Sequence, residues 1–129
     1  MGVRFLSEEW MSAMGEAANA DEGFRTSAAD TEMRLQFNVT DVPDGDDITY
    51  TLTVEGGQAA LALGSNEDAD ATITNSYETA TEISKGELNT QMAFMTGKLK
   101  VGGNMAKVMM NQAQINQFAK AVANLEVDY

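Results

Sequence analysis

A stretch of fourteen residues, Gln91 to Asn104, constrains the fold of this chain more than any other part of the sequence. Its first half combines the apolar residues 92–95 with a preceding Asn89, a residue type that favours the N-cap of a helix. Gly97 follows at a position where many helices end, because glycine adopts a positive φ without steric cost. The pattern therefore predicts a short helix over 89–96.

The second half of the stretch changes to the period of a strand. Leu99 and Val101 alternate with two lysines, which is typical of a strand with one face buried and the other in water. The glycines at 102 and 103 are expected to break this strand, and Asn104 can cap a following helix. The predicted elements are a strand over 98–102 and a helical region over 104–124, either one helix or two broken near 111–114.

Periodicity elsewhere in the chain predicts the remaining elements. Strict alternation of apolar and polar residues indicates two strands joined by a hairpin, and weaker alternation indicates two more. The predicted strands are 31–40, 47–55, 57–64 and 70–75, and the predicted helices are 7–19 and 76–85. The polar segment 19–29 is interpreted as a loop, and no strand is expected after residue 105. The sequence thus predicts a single α+β domain over 1–129.

Composition narrows the range of functions. The chain has no cysteine and no histidine, which excludes disulfides, thiol chemistry and the commonest general base. A net charge of −12 argues against nucleic acid and against an anionic membrane surface, since both attract lysine and arginine. No apolar run is long enough to span a bilayer, and no secretion signal is found. A cytoplasmic location without stable membrane insertion is therefore expected.

Candidate catalytic and metal-binding groups are few. No carboxylate lies in an apolar run, where burial would raise its pKa, and Glu55 at a predicted strand end is the nearest candidate for a general base. The acidic groups at 44–47 and 67–70 lack the ligand spacing of a calcium loop and are interpreted as solvated turn residues. The sequence therefore predicts no catalytic residue, no metal site and no cofactor.

The central stretch resembles the sterol carrier protein 2 family of lipid-binding domains. The resemblance rests on Ala93-Phe94, on the run GKLKV over 97–101, and on the Gly-Asn-Met sequence over 103–105. The upstream run over 68–89 is similar to a strand, a helix and a Lys-Gly-x-Leu-Asn turn of the same family. The N-terminal half of the chain is similar only in its order of elements.

The resemblance implies a five-stranded, mainly antiparallel sheet with helices covering one face, which together enclose an apolar tunnel. It also implies non-covalent binding and intracellular carriage of an apolar lipid, such as a sterol, a fatty acid or a fatty acyl-CoA. Two alternatives stay open: a structural or dimerisation module with a filled core, and a small cone-shaped enzyme of the ketosteroid-isomerase type. The enzyme is disfavoured because helices are predicted to finish the chain, and a homodimer is left open.

The nine methionines of the chain bear on the lipid site, because methionine suits both ordinary cores and surfaces that adapt to apolar partners. The family motif, strand alternation and helical spacing together select the residues expected to line the tunnel. The predicted lipid-binding residues are Phe37, Tyr50, Leu52, Phe94, Met95, Leu99, Val101, Met105, Met109 and Phe118. Lys98 and Lys100 are interpreted as solvent-facing or edge-protecting residues, with contact to a ligand carboxylate or phosphate as the alternative.

Overall fold

The computed structural model describes residues 3–43, 45–65, 67–85, 87–88, 90–122 and 125–128. The strands are β1 (Val3–Arg4), β2 (Glu32–Thr40), β3 (Ile48–Glu55), β4 (Gln58–Leu63), β5 (Ala71–Ser76), β6 (Lys100–Gly103) and β7 (Val127–Asp128). The helices are α1 (Glu8–Ala20), α2 (Glu22–Ser27), α3 (Tyr77–Ser84), α4 (Thr90–Met95), α5 (Met105–Met110) and α6 (Gln112–Val122).

Five of the strands form one sheet in the order β4-β3-β2-β5-β6. The central strand β2 is antiparallel to β3 and parallel to β5, and the two outer pairs, β3–β4 and β5–β6, are antiparallel. This sheet and its helices confirm the predicted α+β fold class, with strand bounds close to those expected. The helical region after residue 104 is two helices, and Asn111 caps the end of the first.

Side-chain caps explain where several helices begin. The Ser7 hydroxyl accepts the N–H of Trp10 at 3.1 Å, and the Asn104 side chain accepts the N–H of Lys107 at 3.1 Å. Each cap satisfies a backbone donor that has no partner within its own helix. The predicted cap Asn89 lies outside the described residues.

The segment 19–29, interpreted above as a loop, is mostly helical. α1 continues to Ala20, and Asp21 starts α2 by accepting the N–H of Phe24 at 3.1 Å. The Phe24 side chain is fully buried, and its ring meets that of Phe118 edge-on with centroids 5.8 Å apart. An aspartate cap and one deeply buried aromatic residue therefore stabilise a helix here, although the composition of the segment is polar.

Two other expectations are wrong. A strand does follow residue 105, because β7 pairs in parallel with β1, Val3 opposite Val127; a strand of two residues has no periodicity by which it could be predicted. The glycines at 102 and 103 do not break β6 but belong to it, opposite Thr72 and Ala71 of β5. The ladder with β5 includes both glycines, and β6 starts at Lys100 rather than at residue 98.

Helix α1 is joined to the edge strand β4 by two hydrogen bonds between one side chain and one backbone residue. The Asn19 amide donates to the carbonyl of Ala59 at 3.0 Å and accepts the N–H of Ala59 at 2.7 Å. Gly15, one turn earlier, lies against the same carbonyl oxygen, and a Cβ added there would meet it at 3.5 Å, an ordinary van der Waals contact. The small residues of β4 thus allow a helix to pack directly on the sheet.

The sheet has one apolar and one polar face. Alternate side chains of β2 and β3 on the helix-covered face form the main core together with Phe24, Ala93 and Leu99. A second buried cluster surrounds Trp10 at the start of α1. Within the described part of the chain, no helix is long and apolar enough to cross a membrane.

Candidate functional site

One row of side chains crosses the apolar face of the sheet and remains partly accessible. Phe37 of the central strand β2 lies opposite Tyr50 of β3 and Ile73 of β5, and Ile73 lies opposite Val101 of β6. Phe37, Tyr50 and Val101 are only half-buried, although they face the helices. We call these four residues the central row.

Aromatic stacking organises one end of the central row. The rings of Phe37 and Tyr50 are stacked with centroids 4.9 Å apart, and Trp10 of α1 meets Tyr50 edge-on at 5.5 Å. Removal from water raises the pKa of the Tyr50 hydroxyl above the usual range of a tyrosine, so this group stays neutral. This end of the row therefore presents aromatic surface without charge.

The neighbouring row of the sheet is filled core by contrast. Leu52 lies opposite Leu35, and both side chains are buried. Leu99, which precedes β6, is buried in the same main cluster. The structure thus places two of the ten predicted lipid-binding residues in a well-packed core.

The C-terminal helices lie over the sheet without being packed to completion. None of the described residues of α5 and α6 is fully buried. Their apolar side chains that pack on the main cluster remain half-buried, and these are Val108, Ile115, Phe118 and Ala121. The central row and these two helices therefore both retain accessible apolar surface.

The other predicted residues lie further out, on α4 and α5. Ala93 is the buried residue of α4, and its neighbours point outward. The exposed members of the predicted set, with their accessible fractions, are Phe94 (42%), Met95 (75%), Met105 (39%) and Met109 (68%). They form an exposed apolar rim on the two helices that precede and follow β6, and none of them belongs to the central row.

No apolar tunnel is evident between the sheet and the helices in the described part of the chain. One open hollow of about 920 Å³ is lined by residues of the N-terminal segment, among them Phe5, Leu6 and Tyr77. A second, of about 470 Å³, lies between α5 and the residues at the start of β2. None of the ten predicted residues lines either hollow.

Asp70 connects three elements next to the rim, and its role was missed in the sequence. Its Oδ2 atom accepts the N–H of Arg34 at 2.8 Å and lies 3.0 Å from the Lys107 ammonium. Its carbonyl oxygen accepts the N–H of Asn104 at 2.8 Å. Asp70 is therefore not a solvated turn residue. The signal that could have found it is a carboxylate immediately before a strand.

The electrostatic environment of Asp70 follows from these contacts. Partial burial alone would raise the pKa of its carboxyl, but the Arg34 hydrogen bond and the Lys107 ammonium outweigh that effect and lower the pKa below its usual value. The group is thus ionised, and its Oδ2 atom makes structural contacts with β2 and α5. Glu55 is exposed, and the described residues contain no group of acidic side chains placed to hold a metal ion.

These features define a small α+β domain in which helices cover one face of a five-stranded sheet and an apolar row on the sheet stays partly accessible. The family model of the SCP-2 sterol transfer family matches residues 8–116. The chain therefore belongs to this family.

Individual relatives agree with this assignment. Sterol carrier protein 2 of Gallus gallus is 37% identical over 76 residues, which are 59% of this chain and 14% of that protein. The match thus spans a small part of the length of this relative. A crystal structure of sterol carrier protein 2 has a TM-score of 0.81 at 23% identity and covers 95% of this chain and 99% of that one.

A second structural neighbour is the solution structure of a conserved hypothetical protein from Thermus thermophilus. Its TM-score is 0.81 at 23% identity, with 98% of this chain and 93% of that chain covered. At this level of identity the similarity establishes the fold.

Proposed function

We propose that the protein binds and carries an apolar lipid between the central row and the C-terminal helices. The observation that supports this most is the half-buried Phe37 on the middle strand of the sheet, the place where a filled core would be most complete. Membership of the SCP-2 sterol transfer family supports the same role. The ligand is a sterol, a fatty acid or a fatty acyl chain.

The hydrophobic effect alone is large enough to bind such a ligand without a charged contact. Burying ~400 Å² of apolar ligand surface at ~25 cal/mol per Å² provides about 10 kcal/mol before the cost of association is subtracted. The proposed walls are Phe37, Tyr50 and Val101 on the sheet and Phe118 on α6. We propose that the rim residues Phe94, Met95, Met105 and Met109 adapt to the ligand as it enters.

Three further parts belong to this proposal. Residues 1–129 act as a single domain, which the family match over 8–116 supports. The domain has no catalytic centre, because the chain lacks histidine and cysteine and Asp70 is occupied by structural contacts. The protein works in the cytoplasm, for which the absence of cysteine is the support.

The test compares the same substitution at a half-buried and at a buried position of the apolar sheet face. Val101→Phe should fill ligand space and abolish binding of a fluorescent fatty acid with little loss of thermal stability. Val54→Phe, at a residue only 1% exposed, should overpack the core and cost about 1–3 kcal/mol of unfolding free energy. Equal destabilisation by both variants, with no fatty acid bound by the parent, would show a filled core and favour a structural module.

A further inference from the structure

The methionine side chains in the described part of the chain separate into two groups by exposure. Met11 and Met33 are buried, and Met14 is half-buried. The other five are exposed, and they are Met92, Met95, Met105, Met109 and Met110. All five lie on α4 or α5, the short helices that precede and follow β6. The exposed thioethers are thus confined to the segment 92–110.

The reactivity of a thioether toward a peroxide depends on its exposure. Hydrogen peroxide transfers one oxygen atom to the methionine sulfur: an S=O bond forms, the O–O bond breaks, and water leaves as the sulfur loses two electrons. The product, methionine sulfoxide, is polar where the thioether is apolar. No thiol competes for the oxidant, because the chain contains no cysteine. The methionines of α4 and α5 should therefore react first, while Met11 and Met33 are protected as long as the protein is folded.

We infer that Met95, Met105 and Met109 form a modification site at which a peroxide reversibly switches off lipid binding. The inference rests on the proposed function, in which these three side chains belong to the rim that adapts to the entering ligand. An apolar ligand that meets a sulfoxide must displace water from the S=O group, and it offers no hydrogen bond in return. Oxidation of the rim therefore weakens binding of the lipid.

The contacts described above that hold α4 and α5 in place do not use a methionine sulfur. Asn104 caps the first turn of α5, and Lys107 in that helix lies 3.0 Å from Asp70. α4 is anchored by the buried Ala93, whose carbonyl oxygen accepts the N–H of Lys98 at 2.8 Å. Oxidation of the exposed sulfurs thus changes the surface of both helices and leaves these anchors intact. This separates a switch from oxidative damage, in which the buried methionines react and the core is disrupted.

The position of these side chains also allows the oxidation to be reversed. A methionine sulfoxide reductase removes the oxygen as water, with two protons and two electrons from a pair of its own thiols, which become a disulfide. The reductase must bring the oxidised side chain into its active site. Met95 is the last residue of α4, Met105 the first of α5 and Met109 the last but one, and all three are exposed. Side chains at the ends of six-residue helices are suited to this access.

Met110 provides an internal control for the position of the oxidised side chain. It is the most exposed of the five, so it should be oxidised at least as readily as the rim. It lies outside the rim, however, and borders the hollow that Asp30 and Glu32 also line. A sulfoxide at this position meets water and polar groups rather than the lipid. Its formation should therefore leave lipid binding unchanged.

The experiment treats the full chain with hydrogen peroxide and locates the sulfoxides by tandem mass spectrometry. Binding of a fluorescent fatty acid is measured before treatment, after it, and after incubation with methionine sulfoxide reductases of both stereospecificities. We expect sulfoxides on α4 and α5 but not at Met11 or Met33, with the thermal unfolding temperature retained. The dissociation constant of the fatty acid should rise about tenfold or more, the equivalent of ~1.4 kcal/mol, and should return to its original value after reduction.

Matched variants show which sulfurs act. A triple variant with Met95→Leu, Met105→Leu and Met109→Leu removes the oxidisable groups of the rim and keeps apolar side chains of similar volume. Compared with its own untreated sample, this variant should keep its affinity after peroxide, whereas Met110→Leu should lose affinity as the parent does. Met109→Gln, which introduces a polar group without an oxidant, should raise the dissociation constant, and Met110→Gln should not.

The outcomes separate this inference from the proposed function. A parent chain that binds the fatty acid equally well before and after oxidation of its rim contradicts the modification site alone. Equal loss of affinity in the treated triple variant would overturn it too, and so would unfolding or oxidation of Met11 and Met33 along with the loss. A parent chain that binds no fatty acid before treatment contradicts the lipid carrier, and the switch with it.

Discussion

The ammonium of Lys107 lies 3.0 Å from the Oδ2 atom of Asp70, and this contact fixes the first turn of α5 to the start of β5. Arg34 of β2 donates its N–H to the same carboxylate oxygen. One side chain therefore sets the position of the helix that carries Met105 and Met109 relative to the middle of the sheet. The free energy of unfolding of the domain should therefore change with pH where the Asp70 carboxyl titrates.

Asp70→Asn should lower the free energy of unfolding by about 1–2 kcal/mol at neutral pH, since a charge-assisted contact and an ion pair are weakened. The folded-state pKa of Asp70 is lowered, so its contribution is complete above the unfolded pKa of about 3.9 and is lost as the pH falls through the folded value. Urea unfolding of parent and variant should therefore converge in acid. Asp46→Asn, at an exposed site, is the control, and a difference that persists in strong acid would contradict the assignment.

Gly103→Ala should destabilise the protein more than Gly97→Ala does. Both glycines have positive φ, +84° and +79°, so each substitution carries backbone strain of about 1 kcal/mol or more. At Gly103 the added Cβ would also lie 2.8 Å from the Asp70 carbonyl oxygen, whereas at Gly97 it meets open space. Thermal unfolding measures both, and equal losses would show that strain alone matters at Gly103.

Asn19→Ala should cost about 1–3 kcal/mol of unfolding free energy, because it leaves the N–H and carbonyl of Ala59 without the side chain that pairs with both. Asn116→Ala, at an exposed position of α6, provides the comparison and should be close to neutral. Chemical denaturation checks the difference. Similar small effects at both sites would mean that water replaces Asn19 at the edge of β4.

Met109→Trp places a fluorescent reporter on the apolar rim, where the parent side chain is 68% exposed. If the rim contacts the lipid, the emission should shift to shorter wavelength when a fatty acid is added. Trp10 is buried and provides a constant background. Ala60→Trp, at an exposed position on the polar face of β4, opposite Thr53, should show no shift, and a shift there of equal size would indicate binding outside the proposed site.

The sheet was predictable because one face of each strand is buried and the other is not. Met33 and Leu35 are buried while Arg34 and Gln36 beside them are not, so the period of two in β2 is a direct consequence of the layered fold. The segment of α2 was not predictable from composition, because its stability comes from a cap at Asp21 and from the distant contact of Phe24 with Phe118.

The positions that the ten predicted lipid-binding residues occupy in the fold were only partly predictable. A helix of six residues gives no reliable apolar face, so the sequence could not show that Ala93 turns inward while Phe94 and Met95 turn outward. Asp70 depends on Lys107, which is remote in sequence and near only in the folded chain. Of the predicted set, Phe37, Tyr50, Val101 and Phe118 are half-buried, and their contact with a lipid stays a prediction.

The parallel pairing of β1 with β7 brings residues 3 and 128 close together, with Val3 donating to Glu126 and Phe5 to Asp128, both at 2.9 Å. A linker of a few glycines could therefore close the chain into a ring without crossing the sheet. New termini placed in the exposed turn at 45–47 would then leave every strand of the main sheet intact. The domain is thus suited to circular permutation and to insertion within a host protein, since β1 and β7 lie side by side at one place on the molecule.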